Sequence, residues 1–399
     1  MKICIFTETY YPVVGGGETQ AKLLANELAD AGHPVTILTR RSDASLKRYE
    51  RYGEIEVYRL SPAGSGQMRK WGLLLSSLPA LVKLRARYDV IFVSGFRIIG
   101  ISAVLAGKLL RKPVVLKSDS QGEMSGAYFE PGLKKVGFSR SNLLFKFFIG
   151  FRNSLLRTAD AFSAISKEIA AEYRSNGVRA EKIHRIPNGV DTSCFFPSDA
   201  ARKAFLRDRL NLPQSAKIVI YTGRLVSYKG LPLLLEAWNK IRLRHPDALL
   251  ILVGSGGQDI HNFEDQLRAY VAAEGLEKVV MFTGAVQNVA DYLQASDIFA
   301  FPTENEAFGA SLVEAMACAL PSAASSVGAV PDFIQHQHNG LLVEPRNFEQ
   351  LHAALDSLLS DPAQASRLGA AALETARQRF SSDMVTAAYL SLFHGLMRE

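Results

Sequence analysis

Short apolar runs rich in β-branched residues alternate with helix-like segments along this chain, and midway the alternation begins again. Ile3–Phe6, Val35–Leu38, Val90–Val93 and Val114–Leu116 are brief and continuous, as strands buried on both faces must be. Between the first two, Leu24 and Leu28 repeat at i+4 within Thr19–Ala31, and Gly32 supplies a stop. Ala161–Ile165 and Ile183–Ile186 extend the series. A second series follows: Ile218–Thr222, Leu249–Val253, Val279–Phe282 and Ile298–Phe301, with a helical pattern over Leu231–Arg244. Strands spaced by helices dictate parallel sheets covered on both faces, so the chain is predicted to be α/β. Its 399 residues suit two domains better than one. The predicted boundary falls between Asn188 and Lys217, giving domains at 1–187 and 188–380. The segment 381–399 is helical in pattern through Met384, Tyr389, Leu392 and Leu396.

Composition excludes some classes. No run reaches the ~18–20 apolar residues that cross a bilayer. The start, Met1-Lys-Ile-Cys-Ile-Phe-Thr-Glu8, reads as a strand and not as a signal peptide. Cys4, Cys194 and Cys318 lie far apart, and an odd number leaves one unpaired; they suggest a reducing compartment and no metal knuckle. The formal charge of +7 suits an anionic ligand, an anionic membrane or nucleic acid. Nucleic acid is the weakest of these, since no zinc-finger spacing, RNP-type aromatic motif or long basic run is present. The eight histidines have no metal-ligand spacing, no Asp-x-Asp cluster occurs, and a phosphate-binding Walker sequence is absent. One basic segment stands apart: 133–157 carries Lys134, Lys135, Arg140, Lys146, Arg152 and Arg157 and no acid. Leu143, Leu144, Phe147, Phe148, Phe151 and Leu155 share a broad helical face there, which fits an anionic membrane surface or a helix packed on the sheet.

Three strand-to-helix turns hold the candidate chemistry. Phe301-Pro-Thr-Glu-Asn-Glu-Ala-Phe-Gly-Ala310 leads from a strand into a helix predicted to start near Gly309. Unpaired amides and a positive dipole at such a start attract anions. Glu306 precedes it, and Glu314 follows eight residues later, about 12 Å along an ideal helix. Two acceptors so spaced can hold hydroxyls at the ends of an extended ligand; singly, each also fits an ordinary surface carboxylate. Tyr221-Thr-Gly-Arg-Leu-Val-Ser-Tyr-Lys-Gly230 is the second turn, where Arg224 and Lys229 can neutralise a diphosphate. Pro12-Val-Val-Gly-Gly-Gly-Glu18 is the third; Gly15, Gly16 and Gly17 let backbone approach a phosphate, though a plain tight turn also explains them. Gly254-Ser-Gly-Gly-Gln-Asp259 follows a strand but misses the third glycine of the dinucleotide fingerprint.

In this order, with Ile186-Pro-Asn-Gly-Val-Asp191, Gly328-Ala-Val-Pro-Asp332 and Asn339-Gly-Leu-Leu-Val-Glu-Pro345, the motifs resemble glycosyltransferase family 4, retaining enzymes that use nucleotide sugars. The resemblance covers nearly the whole chain. It implies the GT-B fold, two Rossmann-like doubly wound domains facing across a cleft, with the last helix packing back on the first domain. It implies that Arg224 and Lys229 bind the donor diphosphate and stabilise the leaving nucleotide, and that Glu306 contacts the donor sugar. The backbone of Phe308, Gly309 and Ala310 would face sugar and phosphates, Glu314 the ribose, and Val286 the base, while Gly15–Gly17 would cover the diphosphate. The donor would be UDP- or GDP-linked, with no cofactor and no metal. The acceptor would be a glycan or lipid-linked molecule, used in the cytoplasm or at the inner face of a membrane. Where many relatives carry a histidine after the fifth strand, this chain reads Lys117-Ser-Asp-Ser-Gln-Gly-Glu123, so Lys117 or Asp119 is expected to meet donor sugar or acceptor. Ala319 and Asp332 stand where glycine and glutamate are common. Two other readings stay open: a sugar-nucleotide epimerase, and a silent relative that only binds.

Overall fold

The computed structural model describes residues 1–13, 15–64, 67–130, 132, 139, 141–257, 259 and 261–398, without the side chains of 67–71. The chain forms two compact units, Met1–Gly189 with Ser382–Glu399, and Val190–Ser381.

The first unit is built on β1 (Ile3–Thr7), β2 (Val35–Arg40), β3 (Tyr49–Tyr52), β4 (Ile55–Leu60), β5 (Val90–Ser94), β6 (Val114–Lys117), β7 (Ala161–Ala164) and β8 (Ile183–Arg185). They lie in the order β3-β4-β2-β1-β5-β6-β7-β8, parallel except for β3, which pairs antiparallel with β4. The strand ending at Lys117 is thus the sixth in the chain. β1, β2, β5, β6 and β7 are buried at every position, so their β-branched runs face helices on both sides. The last helix, Ser382–Leu396, belongs to this unit. Tyr389 and Phe393 set their rings 5.0 and 6.0 Å from Phe92, and Tyr389 shares a 2.9 Å hydrogen bond with Ser163.

The second unit has β9 (Lys217–Thr222), β10 (Ala248–Val253), β11 (Val280–Gly284), β12 (Ile298–Phe301), β13 (Ser322–Ser325) and β14 (Leu341–Val343), all parallel, in the order β11-β10-β9-β12-β13-β14. Its core centres on Trp238, fully buried in the helix Leu231–Arg244, whose indole N–H donates to Val279 O at 2.9 Å. A buried Trp needs such a partner.

Each sheet reverses its winding once, between β1 and β5 in the first unit and between β9 and β12 in the second. Open α/β sheets bind ligands beyond the carboxyl ends of the strands at that switch. The segments after β1, β9 and β12 are the three turns singled out in the sequence.

The helix over Leu143–Leu156 forms, but it carries its charges differently from the expectation. Arg152 is fully buried, donating to the carbonyls of Glu123 and Met124 at 2.8 and 2.7 Å, so it is a structural cation and not part of a solvated basic face. Lys134, Lys135 and Arg140 lie outside the described residues.

Candidate active site

In the second unit the chain leaves β9 through Gly223 and Arg224, makes a single 3-10 turn over Ser227–Lys229, and enters the helix at Leu231. Gly230 joins them at φ +66°, and a Cβ there would overlap the Pro302 carbonyl oxygen beyond β12. Only glycine fits both the left-handed backbone and this approach. The two loops are also tied by Glu304 N–H, which donates to Tyr228 O at 3.0 Å. Their close packing brings Lys229 Nζ to 2.7 Å from Glu306 Oε2, with 13% and 19% of the side chains exposed. Glu306 is held from behind as well: Gly328 sits so close to the Glu306 carbonyl that a side chain would not fit.

Arg224 is 59% exposed and pairs with Asp259. Its Nη2 donates to the Tyr228 hydroxyl at 2.8 Å, and its carbonyl accepts from Tyr221 at 3.0 Å. Both cations therefore stand at the switch, each already matched by a carboxylate. A pair whose guanidinium is this exposed is worth little and opens readily; the Lys229–Glu306 pair, enclosed at both ends, is a stronger constraint.

The helix beyond β12 runs Ala310–Ala317, capped by Gly309 at φ +94°, one residue later than predicted. Residues 306–309 are not helical, so the ideal-helix rise does not measure the separation of Glu306 from Glu314. Phe308 buries its ring against Phe333 and Phe380, at 5.7 and 5.8 Å. Only its backbone remains for a ligand. Ala310 begins the helix and is half-buried; Val286 is half-buried two residues past Gly284 at the end of β11.

Glu314 is half-buried on the helix, and among the described residues its carboxylate has neither a hydrogen bond nor a cation partner. Desolvation pushes its pKa up to about 7. The ionised form is disfavoured in the fold, so the penalty is absent below the unfolded value of about 4.5. It grows from there and is complete above 7. Glu314→Gln is expected to stabilise the protein by about 1–3 kcal/mol at pH 8 and by almost nothing at pH 4.5. Thermal unfolding at the two pH values checks this; equal effects at both would remove the desolvation penalty from the account.

In the first unit, Gly15 caps the helix Gly16–Asp30 in extended backbone, and Glu18 in its first turn accepts from Thr9. Gly16 is exposed with open space where a Cβ would stand, whereas a Cβ on Gly17 would come within 3.0 Å of Asp119 Oδ2. Asp119 accepts from Ser94 at 3.0 Å and pairs with Lys117. Burial alone would lower the Lys117 pKa, but Asp119 beside it more than offsets this and holds the ammonium above its ordinary value. Asp119 N–H donates to the fully buried Glu123 at 3.2 Å, and Arg97 stands 3.3 Å from that carboxylate and 3.6 Å from Glu8. The structure thus gathers Gly17, Lys117 and Asp119 at the β1/β5 switch.

Sequence reasoning gave no role to Asp259, Tyr228, Glu123 and Gly328, which its motifs contain, and passed over Arg97. Asp259 ends the glycine-rich segment after β10, and Arg97 lies three residues past β5, so position beyond a strand end was the usable signal. Among the described residues no three His, Cys, Asp or Glu side chains are grouped to hold a metal ion.

Known proteins resemble this chain in sequence and in fold. The profile described as Glycosyltransferase Family 4 matches residues 14–193, and the one described as Glycosyl transferases group 1 matches residues 202–375. N-acetyl-alpha-D-glucosaminyl L-malate synthase of Bacillus anthracis is 26% identical over 395 residues, covering 98% of this chain and 97% of that one. Among solved structures, sucrose-phosphate synthase from Thermosynechococcus elongatus superposes with a TM-score of 0.79 at 24% identity over the full length of both chains. Anabaena HepE in complex with UDP gives 0.75 at 22% identity, covering 99% of this chain and all of that one. Two doubly wound units of this kind define the GT-B architecture of glycosyltransferases. The chain belongs to glycosyltransferase family 4.

Proposed function

We propose that this protein transfers a sugar from a UDP- or GDP-sugar to a hydroxyl of a glycan or lipid-linked acceptor, with retention of anomeric configuration and without a metal. The observation that carries the reading is the Lys229–Glu306 pair, set 2.7 Å apart at the β9/β12 switch beside the helix start at Gly309. The bond between the anomeric carbon and the diphosphate oxygen breaks, and negative charge grows on the departing phosphate. Lys229, Arg224 and the first amides of the helix Ala310–Ala317 stabilise that charge, the role a preorganised electrostatic site plays in catalysis. Arg224 exchanges Asp259 for phosphate oxygens at small cost because its guanidinium is exposed. Glu306 holds donor-sugar hydroxyls, Glu314 accepts from the ribose, and Val286 lies against the base. The acceptor oxygen bonds to the anomeric carbon on the face the phosphate leaves, and the acceptor proton passes to that phosphate.

Lys117 and Asp119, fixed by Ser94 and Glu123, recognise sugar hydroxyls in the first unit. The UDP bound by HepE supports a uridine donor first. The work the reading implies is assembly of cell-surface polysaccharide or glycolipid on the cytoplasmic side of a membrane. It is tested by a thermal-shift panel of UDP, GDP, ADP and their sugar conjugates. A nucleotide at 100 times its Kd adds about 2.7 kcal/mol, or roughly 5–10 °C for a domain of this size. Selective stabilisation by one nucleotide family is expected; no shift with any at millimolar concentration would overturn the donor reading.

A further inference from the structure

Three helices of the first unit pack side by side: Gln67–Lys83, Ile99–Leu110 and Leu143–Leu156. Ser77 of the first donates to Ser102 of the second at 2.7 Å. A Cβ on Gly100 would come within 2.9 Å of Leu156, so the third helix lies as near the second as glycine permits. None of the three contains an Asp or Glu, whereas Gly16–Asp30 holds Glu18, Glu27 and Asp30.

The third helix is turned with its polar side inward. Arg152 and Asn153 are buried and bonded to the Met124 carbonyl at 2.7 and 2.9 Å. Leu143, Leu144, Phe147 and Phe151 are 81%, 75%, 77% and 65% exposed; at 3.6 residues per turn they fall within an arc of roughly 100°. Burying such an arc is what an amphipathic helix ordinarily does with it, and here the fold leaves it outside. Leu109 on the adjoining helix is 68% exposed. On these two helices and at their C-terminal ends Lys108, Arg111, Lys146 and Arg157 are exposed. Lys108, Arg111 and Lys112 line a recess of about 400 Å³ whose one acidic lining residue, Asp160, accepts from Val114 N–H.

We propose that this acid-free layer docks the first unit on an anionic lipid bilayer. The four apolar residues enter the boundary between headgroups and acyl chains, and the cations face lipid phosphates. An apolar helix face with exposed cations beside it is the arrangement that binds anionic interfaces. A second copy seated on the same face would set cations against cations, which self-association disfavours. The surface is independent of the sugar-transfer reading and needs no catalytic residue.

The test uses the full chain and sedimentation with phosphatidylcholine vesicles, with and without phosphatidylglycerol. Binding to the anionic vesicles is expected to be at least about tenfold tighter and to weaken with salt. Phe147→Ser/Phe151→Ser is expected to lower it by at least about tenfold with Tm and nucleotide-induced stabilisation unchanged. The proposal fails if neither vesicle binds, or if the double variant binds as well as the parent. It also fails if the parent is a dimer that the variant disperses, since a second copy then covers the face.

Discussion

A Lys229→Ala variant is expected to transfer sugar about 10³-fold more slowly than the parent, the upper range for deleting one preorganised charge-stabilising group. Lys229 is only 13% exposed and is fixed by Glu306 at 2.7 Å, so its charge is held in one place before the donor arrives. The variant also leaves the Glu306 carboxylate without its cation in a largely enclosed place, at a cost of about 1–3 kcal/mol in stability. Rate and stability separate in the double variant Lys229→Ala/Glu306→Gln. It should recover much of the lost Tm and none of the lost rate. Steady-state kinetics on the two variants decides the matter: a near-normal kcat for Lys229→Ala would remove Lys229 from catalysis.

Gly230→Ala is expected to be nearly as damaging without touching a charged group. The position holds φ +66° and faces the Pro302 carbonyl at a separation that leaves no room for a methyl group. Left-handed backbone strain and overpacking together should cost about 2–4 kcal/mol, or roughly 5–15 °C in Tm for a domain of this size. The loop after β9 must then move off the loop after β12, carrying Lys229 from Glu306, so transfer should fall even where the protein remains folded. An unchanged Tm would mean that the two loops are not held together as described.

Most strands were legible because they are buried on both faces, and β-branched runs such as Val90–Val93 have little other use. β13 was not, because Ser322-Ala-Ala-Ser325 is small and polar although every position is buried; its burial comes from neighbours in the sheet, which sequence does not display. β4 is buried only at alternate positions, and β3 is an edge strand paired antiparallel to it. In the site, Arg224, Lys229, Glu306 and the glycine turns stood out because each follows a strand end. Their pairing did not: Asp259 lies 35 residues from Arg224 in the chain and Glu306 lies 77 from Lys229. Only the winding order of the sheets sets such partners together.

The last helix belongs to the first unit, with Tyr389 and Phe393 against Phe92. This has a bearing on how the chain matures on the ribosome. The second unit is one unbroken stretch, Val190–Ser381, and can close as soon as it emerges. The first is begun earlier but lacks part of its core until the helix Ser382–Leu396 appears. About 190 residues must be made in between, roughly 10–40 s at ordinary elongation rates. For that interval Phe92 waits for its partners, so the half synthesised first is the half completed last, and a stalled or shortened chain would release a finished second unit tethered to an unfinished first.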